Sequence, residues 1–246
     1  MKKIFNLILI ILMFMTIFLS VDKMALAQED TGKNRKLTVK DMKIKENLKS
    51  IEIDMVIPVI EGMANYRVEN KINQRIQNDA SAFKERLLND SIIFVTSAEE
   101  EGWRYSKYLA SCYYILHLQS NSILSMSVFY YEYTLGAHGH TLQKVYNINL
   151  KNGELFTLSS LFSGMEKNSK VINREIKRQI QLHPELYFDS GEIFESISDD
   201  QSFYIIDDGI VIFFGLYEIA PYACGIRYFK IPFSLIEMNM NFNIGK

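Results

Sequence analysis

The stretch from residue 106 to residue 134, SKYLASCYYILHLQSNSILSMSVFYYEYT, holds two dense runs of aromatic, aliphatic and β-branched residues, 106–118 and 123–134. Between them stand Gln119, Ser120, Asn121 and Ser122, all suited to a turn. Both runs are rich in strand-forming side chains, so a long antiparallel hairpin is predicted. Working back from it, Asn65 is placed to cap a helix on which Val68, Ile72, Ile76, Ala80, Phe83 and Leu87 recur at three and four residues. Before that helix, Ile51, Ile53, Met55 and Ile57 alternate with Glu52, Asp54 and Val56 up to Pro58, the pattern of a strand with one buried face.

Working forward, a third strand is predicted over 142–150, ending at the turn pair Asn152-Gly153. Leu158, Leu161 and Phe162 with the serines between them read as one helical turn. Ser169 then opens a second amphipathic helix carrying Ile172, Ile176 and Ile180, stopped by Pro184. Strands follow over 202–206, 210–214 and 226–232, the first two joined at Asp208-Gly209. The order strand, long helix, three strands, helix, three strands predicts an α+β fold. Two small subdomains are expected, 47–151 and 152–246, each an antiparallel sheet packed against an amphipathic helix.

At the other end, Lys2 and Lys3 precede an uncharged apolar run over 4–19, and Ala25-Leu26-Ala27 follows. This is the layout of a secretion signal with cleavage after Ala27. An anchor kept in the membrane is the alternative, since the run approaches the roughly 17 residues a spanning helix needs. Intact mass of the exported protein is expected to begin at Gln28, and a membrane-bound species starting at Met1 would reverse that expectation. Residues 28–46 are polar and lysine-rich, and read as a flexible linker. The protein is thus expected to be secreted or extracytoplasmic in the cell envelope, touching membrane only if the signal is retained.

Loss of Lys2, Lys3, Lys23 and Asp22 on cleavage takes the formal charge from −2 to −4. An acidic chain is not built to hold nucleic acid. With 48% apolar residues it can bury a core of its own. Cys112 and Cys224 could pair in an oxidising compartment or remain two buried thiols, because spacing alone does not bring their Cα atoms together.

Catalytic patterns are sparse. Asp207-Asp208-Gly209 has the form of a metal-binding triplet of polysaccharide deacetylases, but no pair of histidines at helical spacing accompanies it, and a hairpin turn is expected there. His138 and His140 flank Gly139 and could share a strand face, yet no third ligand is identifiable, so no metal or other cofactor is expected. Gly136 and Gly139 then serve a turn. No nucleophile elbow and no phosphate-binding glycine motif is present. Glu132 and Glu218 form a glycosidase pair only if the fold sets them at the required separation. The loop after residue 213, with Tyr217, Glu218, Pro221 and Tyr222, can present rigid aromatic surface to a partner or fold down as a lid.

Taken together, certain residues resemble a known pair of domains. These are Tyr130-Tyr131-Glu132-Tyr133-Thr134-Leu135-Gly136-Ala137-His138-Gly139, Tyr146-Asn147, Asn152-Gly153, Leu158 to Phe162, Phe203 to Gly209, and Tyr217-Glu218-Ile219-Ala220-Pro221-Tyr222-Ala223 with Gly225. They are similar to the paired domains of unknown function in the extracellular region of the lysozyme-sensing anti-sigma factor RsiV. The same pair precedes the catalytic domain of the peptidoglycan deacetylase PdaC. Leu135 stands where that family usually has a second glycine, and Cys224 where it has a small residue. The resemblance implies a non-catalytic binding module of the bacterial envelope, with a lysozyme-type muramidase or peptidoglycan glycan as ligand. The residues expected to bind it are Gly136, His138, Gly139, His140, Tyr217, Glu218, Pro221 and Tyr222. Two alternatives stay open: a small envelope hydrolase using His138 with Glu132 or Glu218, and a purely structural envelope protein. Neither a sigma-binding segment nor a deacetylase domain is expected, so neither relative's output is carried over.

Overall fold

A computed structural model of the chain describes residues 36–239. The export signal, its cleavage site and the start of the expected linker lie outside the described residues. From residue 38 the chain forms β1 (Thr38–Asn47), β2 (Ile51–Glu61), helix α1 (Tyr66–Glu100), β3 (Tyr108–Gln119), β4 (Ile123–Tyr133) and β5 (His140–Asn149). Helix α2 (Met165–Ile180) and strands β6 (Phe203–Ile206), β7 (Gly209–Phe214) and β8 (Arg227–Pro232) complete it. Short 3-10 turns stand at Ser159–Leu161, Pro184–Leu186, Tyr222–Cys224 and Phe233–Leu235.

The first sheet has the order β1-β2-β3-β4-β5, the second β6-β7-β8. Two expectations are corrected here. Residues 38–46 are not linker: Val39, Met42 and Ile44 lie partly buried against the first core while Lys40, Lys43 and Lys45 face water. The lysines that read as a tether instead guard an edge strand, where charge discourages pairing with another chain. Lys40 meets Glu61 at 2.6 Å and Lys45 meets Asp54 at 3.3 Å across to β2. The first sheet is also mixed rather than antiparallel throughout. β2 and β3 run parallel with Ile51 opposite Tyr108, because α1 carries the chain back along the sheet before β3 begins. At 35 residues that helix is about 50 Å long.

Helix α1 is capped by the Asn65 side chain, which accepts from the amides of Arg67 and Val68 at 3.1 and 3.3 Å. Its buried stripe runs past Leu87 through Ser91, Val95 and Ala98, which is why the helix outlasts the predicted one. Helix α2 starts at Met165, a turn before Ser169. Asn168 continues the stripe of Ile172, Ile176 and Ile180, donating from Nδ2 to the Gly164 carbonyl and accepting from the Glu237 amide. Ser169 stands one turn into the helix and donates from its hydroxyl to the Glu166 carbonyl. Each of the three isoleucines is essentially fully buried, worth about 2 kcal/mol apiece in water-avoided surface.

One core lies between α1 and the first sheet, the other between α2 and the second sheet. Leu118 and Ile123, at the tip of the β3–β4 hairpin, belong to the second core. The second sheet lies on the face of the first that α1 leaves open, so β4 is buried on both sides from Ile123 to Tyr130. Hydrogen bonds stitch the layers. Ser125 Oγ accepts from the Ile205 amide at 3.0 Å and donates to Asn147, whose Nδ2 donates to the Phe203 carbonyl at 2.9 Å.

Candidate ligand-binding loops

The loop between β4 and β5 turns on Leu135, whose φ of +67° is the left-handed backbone normally left to glycine. A leucine there costs about 1 to 2 kcal/mol of local strain, offset by packing of its side chain on the first core. Two residues past Ala137 the chain presses against its own strand. A Cβ on Gly139 would stand 2.3 Å from Cζ and Oη of Tyr131, so only a glycine lets the Tyr131 ring lie there.

The second loop leaves β7 at Phe214. The Glu218 amide donates to the Gly215 carbonyl at 3.3 Å, closing a turn in which Tyr217 also adopts a left-handed φ, +66°. That turn lifts Tyr217 outward, 53% exposed, while Ile219 and Ala220 enter the second core. Pro221 starts the 3-10 turn Tyr222–Cys224, and Gly225 at φ +67° ends it.

The two loops meet. The Tyr222 hydroxyl donates to the Gly139 carbonyl at 2.8 Å, and the Tyr222 ring stacks on His138 with centroids 3.8 Å apart at 20°. His138 Nδ1 lies 3.0 Å from the same carbonyl, and Nε2 lies 3.2 Å from the Tyr217 hydroxyl. A carbonyl can only accept, so Nδ1 carries the proton and Nε2 accepts from Tyr217. Tyr217 and Tyr222 are 5.7 Å apart, completing a three-ring cluster from two distant parts of the chain.

Other predicted residues fall elsewhere. His140 begins β5 opposite Glu132, exposed and away from the rings. Gly136 and Pro221 stand exposed in their loops. Glu218 folds back over Gly215, its Oε1 2.9 Å from where a Cβ would be. Glu132 forms an ion pair with Arg86 of α1. Among the described residues no three His, Cys, Asp or Glu side chains are grouped to hold a metal. The Asp207-Asp208 pair makes the tight β6–β7 turn, and Asp208 meets Lys230 at 2.7 Å. Cys112 and Cys224 are both free thiols, so the bond weighed between them is not made. Cys112 lies in the first core against the Val56 carbonyl, where burial pushes its thiol up to about 12, and Cys224 packs on the second.

Sequence reading missed the supports. Tyr131 carries the first loop, and Arg227 fastens the second: its Nη1 donates to the Cys224 carbonyl and its Nη2 to the Tyr187 hydroxyl, with the guanidinium 4.7 Å over the Tyr187 ring. Tyr187 is far away in sequence, and no local pattern marks the pairing.

With this geometry in view, comparisons with known proteins divide the chain in two. Residues 44–141 match the family described as deacetylase PdaC, and residues 159–234 match a protein family of unknown function, DUF3298. The anti-sigma-V factor RsiV of Bacillus subtilis is 29% identical over 209 residues, covering 80% of this chain and 68% of that protein. A DUF3298 family member from Bacteroides fragilis shares the fold with a TM-score of 0.68 at 18% identity, over 85% of this chain and 96% of its own. A second, from Pseudomonas aeruginosa, gives 0.50 at 13% identity, over 85% and 97%.

Proposed function

We propose that this chain, which carries a PdaC domain followed by a DUF3298 domain, is an exported, non-catalytic binding module of the cell envelope. In this reading a lysozyme-type muramidase docks on the surface made by His138, Tyr217 and Tyr222. The observation that supports it is the joining of the two loops. His138 and Tyr217 are exposed and Tyr222 half-buried beneath them, and the three rings already hold one another, so docking loses little ordering entropy. Large rings with a hydroxyl handle are the side chains that most often anchor protein interfaces. The acidic mature chain suits a basic partner, and the similarity to RsiV, resembled as a lysozyme sensor, points the same way.

The hydrolase reading has less to stand on. A base at His138 needs a carboxylate or nucleophile beside it, and its ring nitrogens face a carbonyl and a tyrosine hydroxyl instead. Ser127 and His117 do make a serine–histidine contact, 2.7 Å, but Ser127 is fully buried and a substrate has no path to it.

Calorimetric titration of a c-type lysozyme into the mature chain tests the proposal. Tyr217→Ala and Tyr222→Ala are each expected to weaken binding by about 2 kcal/mol, roughly thirtyfold, with His138→Ala weaker in effect. Circular dichroism should first show each variant folded. Equal binding by all three folded variants would make the loops merely structural, and no binding by wild type would remove lysozyme as the ligand.

A further inference from the structure

Strand β5 closes the first sheet on one side, and among the described residues its outer edge is paired along the second half of its length. The Asn149 amide donates to the Glu154 carbonyl at 2.8 Å, and the Phe156 amide donates to the Asn147 carbonyl at 2.7 Å. Residues 154–156 thus begin a sixth strand, with Ile148 opposite Leu155. At Thr157 the chain leaves for the 3-10 turn Ser159–Leu161. In an antiparallel ladder alternate residues aim their backbone groups to the same side. With Asn147 and Asn149 facing outward, Thr141, Gln143 and Val145 face outward too, and no described residue bonds their amides or carbonyls. Other edges are closed. Lysines guard β1. On β6 the Ile205 amide is held by Ser125 and the Phe203 carbonyl by Asn147, and on β8 the Lys230 carbonyl accepts from Gln179 of α2 at 2.8 Å.

We infer that the open half of β5 takes an extended, basic peptide of a partner protein as an added strand, continuing the line that residues 154–156 begin. A row of unpaired backbone groups is answered by the backbone of another strand. There is room for it: beside the open stretch lies a cleft of about 340 Å³ lined by residues 143–145, 155–158 and 200–203. That volume is within the range of about 300 to 1,000 Å³ usual for ligand sites. Charge selects the peptide. Lys144 is neutralised by Asp79 at 2.7 Å. Asp200 in the cleft wall and Asp199 beside it are exposed and pair with no described cation. Leu142, on the α1 face of β5 and 56% exposed, offers an apolar neighbour. Strand side chains alternate between faces, so the segment that fits has apolar residues on the face beside Leu142 and lysine or arginine on the other, toward Asp200.

The inference stands apart from the lysozyme reading, whose rings sit on the loops. The probe is an acetylated, amidated heptapeptide with valine at its odd positions, arginine at the second and sixth and threonine at the fourth. It is titrated into the isotope-labelled mature chain and followed by amide NMR. In wild type the amides of Thr141, Gln143 and Val145 are expected to shift and become protected from hydrogen exchange on binding, whereas those of Leu142 and Lys144, turned toward β4, are protected throughout. With the valines beside Leu142, the even-numbered amides of the peptide face β5, and N-methylating those three is expected to abolish binding. Val145→Pro removes one outward amide, a change an edge strand tolerates, and is expected to weaken binding about tenfold. Asp200→Asn should weaken it about two- to fivefold. Failure of wild type to bind overturns the proposal, as does equal binding of the N-methylated peptide. Equal affinity for a peptide with glutamate in place of arginine overturns the charge selection. Shifts confined to His138, Tyr217 and Tyr222 would overturn it by moving the peptide to the loops. Protection of the three outward amides before peptide is added, lost on dilution, would overturn it in favour of a second copy of this chain.

Discussion

Gly209→Ala is expected to destabilise the fold by about 3 kcal/mol, the upper part of the range for an extra methyl forced into packed structure. The reason is local and backbone-made. Asp207 and Asp208 form a two-residue turn that sets Ile206 opposite Gly209, and on its other side Gly209 pairs with Pro232 of β8. A Cβ at Gly209 would stand 2.4 Å from the Ile231 carbonyl oxygen and 3.1 Å from the Pro232 Cα. Those atoms belong to a paired strand and cannot swing aside as a side-chain tip could, so β7 and β8 must separate. β7 is the central strand of its sheet and is buried along its whole length, which spreads the damage into the second core. Asp208→Asn is the companion variant. It removes the exposed ion pair with Lys230, worth within about 1 kcal/mol. Urea unfolding of both variants checks the prediction. A Gly209→Ala protein as stable as wild type would mean the turn is not as described. Greater damage from Asp208→Asn than from Gly209→Ala would mean that the turn carboxylate, and not the close approach of β7 to β8, holds this hairpin together.

That triplet shows how far local signals carry. Asp-Gly and Asn-Gly mark turns wherever they stand, and Ile172, Ile176 and Ile180 mark a helix face, because backbone geometry and burial act over a few residues. The continuous apolar run of β4 was equally plain, although its cause, burial on both faces, becomes visible only when the second sheet lies across it. Strand direction was not legible. An alternating strand looks the same whichever way it runs, so the parallel pairing of β2 with β3 depends on the length of α1. β1 was hidden by its lysines, which an edge strand needs and a linker also has. For the candidate site, His138, Tyr217 and Tyr222 were singled out from the two motif loops, and the fold places them in contact. Their supports were out of reach: Tyr131 under Gly139 is set by strand register, and Arg227 on Tyr187 by packing across the second core. The two cysteines, each plausible as a partner from composition, end in different cores because one follows β3 and the other the loop after β7.

His117 belongs with the contacts that only the folded chain reveals, and acid is expected to expose its part in the stability. It lies between the sheets, its ring stacked 3.7 Å from Tyr204 and its Nε2 2.7 Å from Ser127 Oγ. A chain of donors ends on that nitrogen. The Tyr228 hydroxyl donates to Gln143 Oε1, Gln143 Nε2 donates to Ser127 Oγ at 2.7 Å, and the Ser127 hydroxyl is left to donate to Nε2. Protonating Nε2 reverses the last link and puts a charge between two packed layers, so burial pushes the imidazole down from 6.5 to about 4. The unfolded chain takes up the proton near pH 6.5 and the folded chain only near pH 4. Stability from the neutral ring is therefore fully present above about pH 6.5 and drains away as the pH falls toward about 4, by up to about 3 kcal/mol. Carboxylates titrate in the same range, so the measurement is a comparison. His117→Gln keeps a hydrogen-bonding side chain but cannot titrate. It is expected to lose about 1 kcal/mol near neutrality with the ring stack, yet to lose about 2 to 3 kcal/mol less than wild type between neutral pH and pH 4 in urea unfolding. Parallel pH profiles for the two proteins would show that His117 is solvated and that the sheets do not close on it as described.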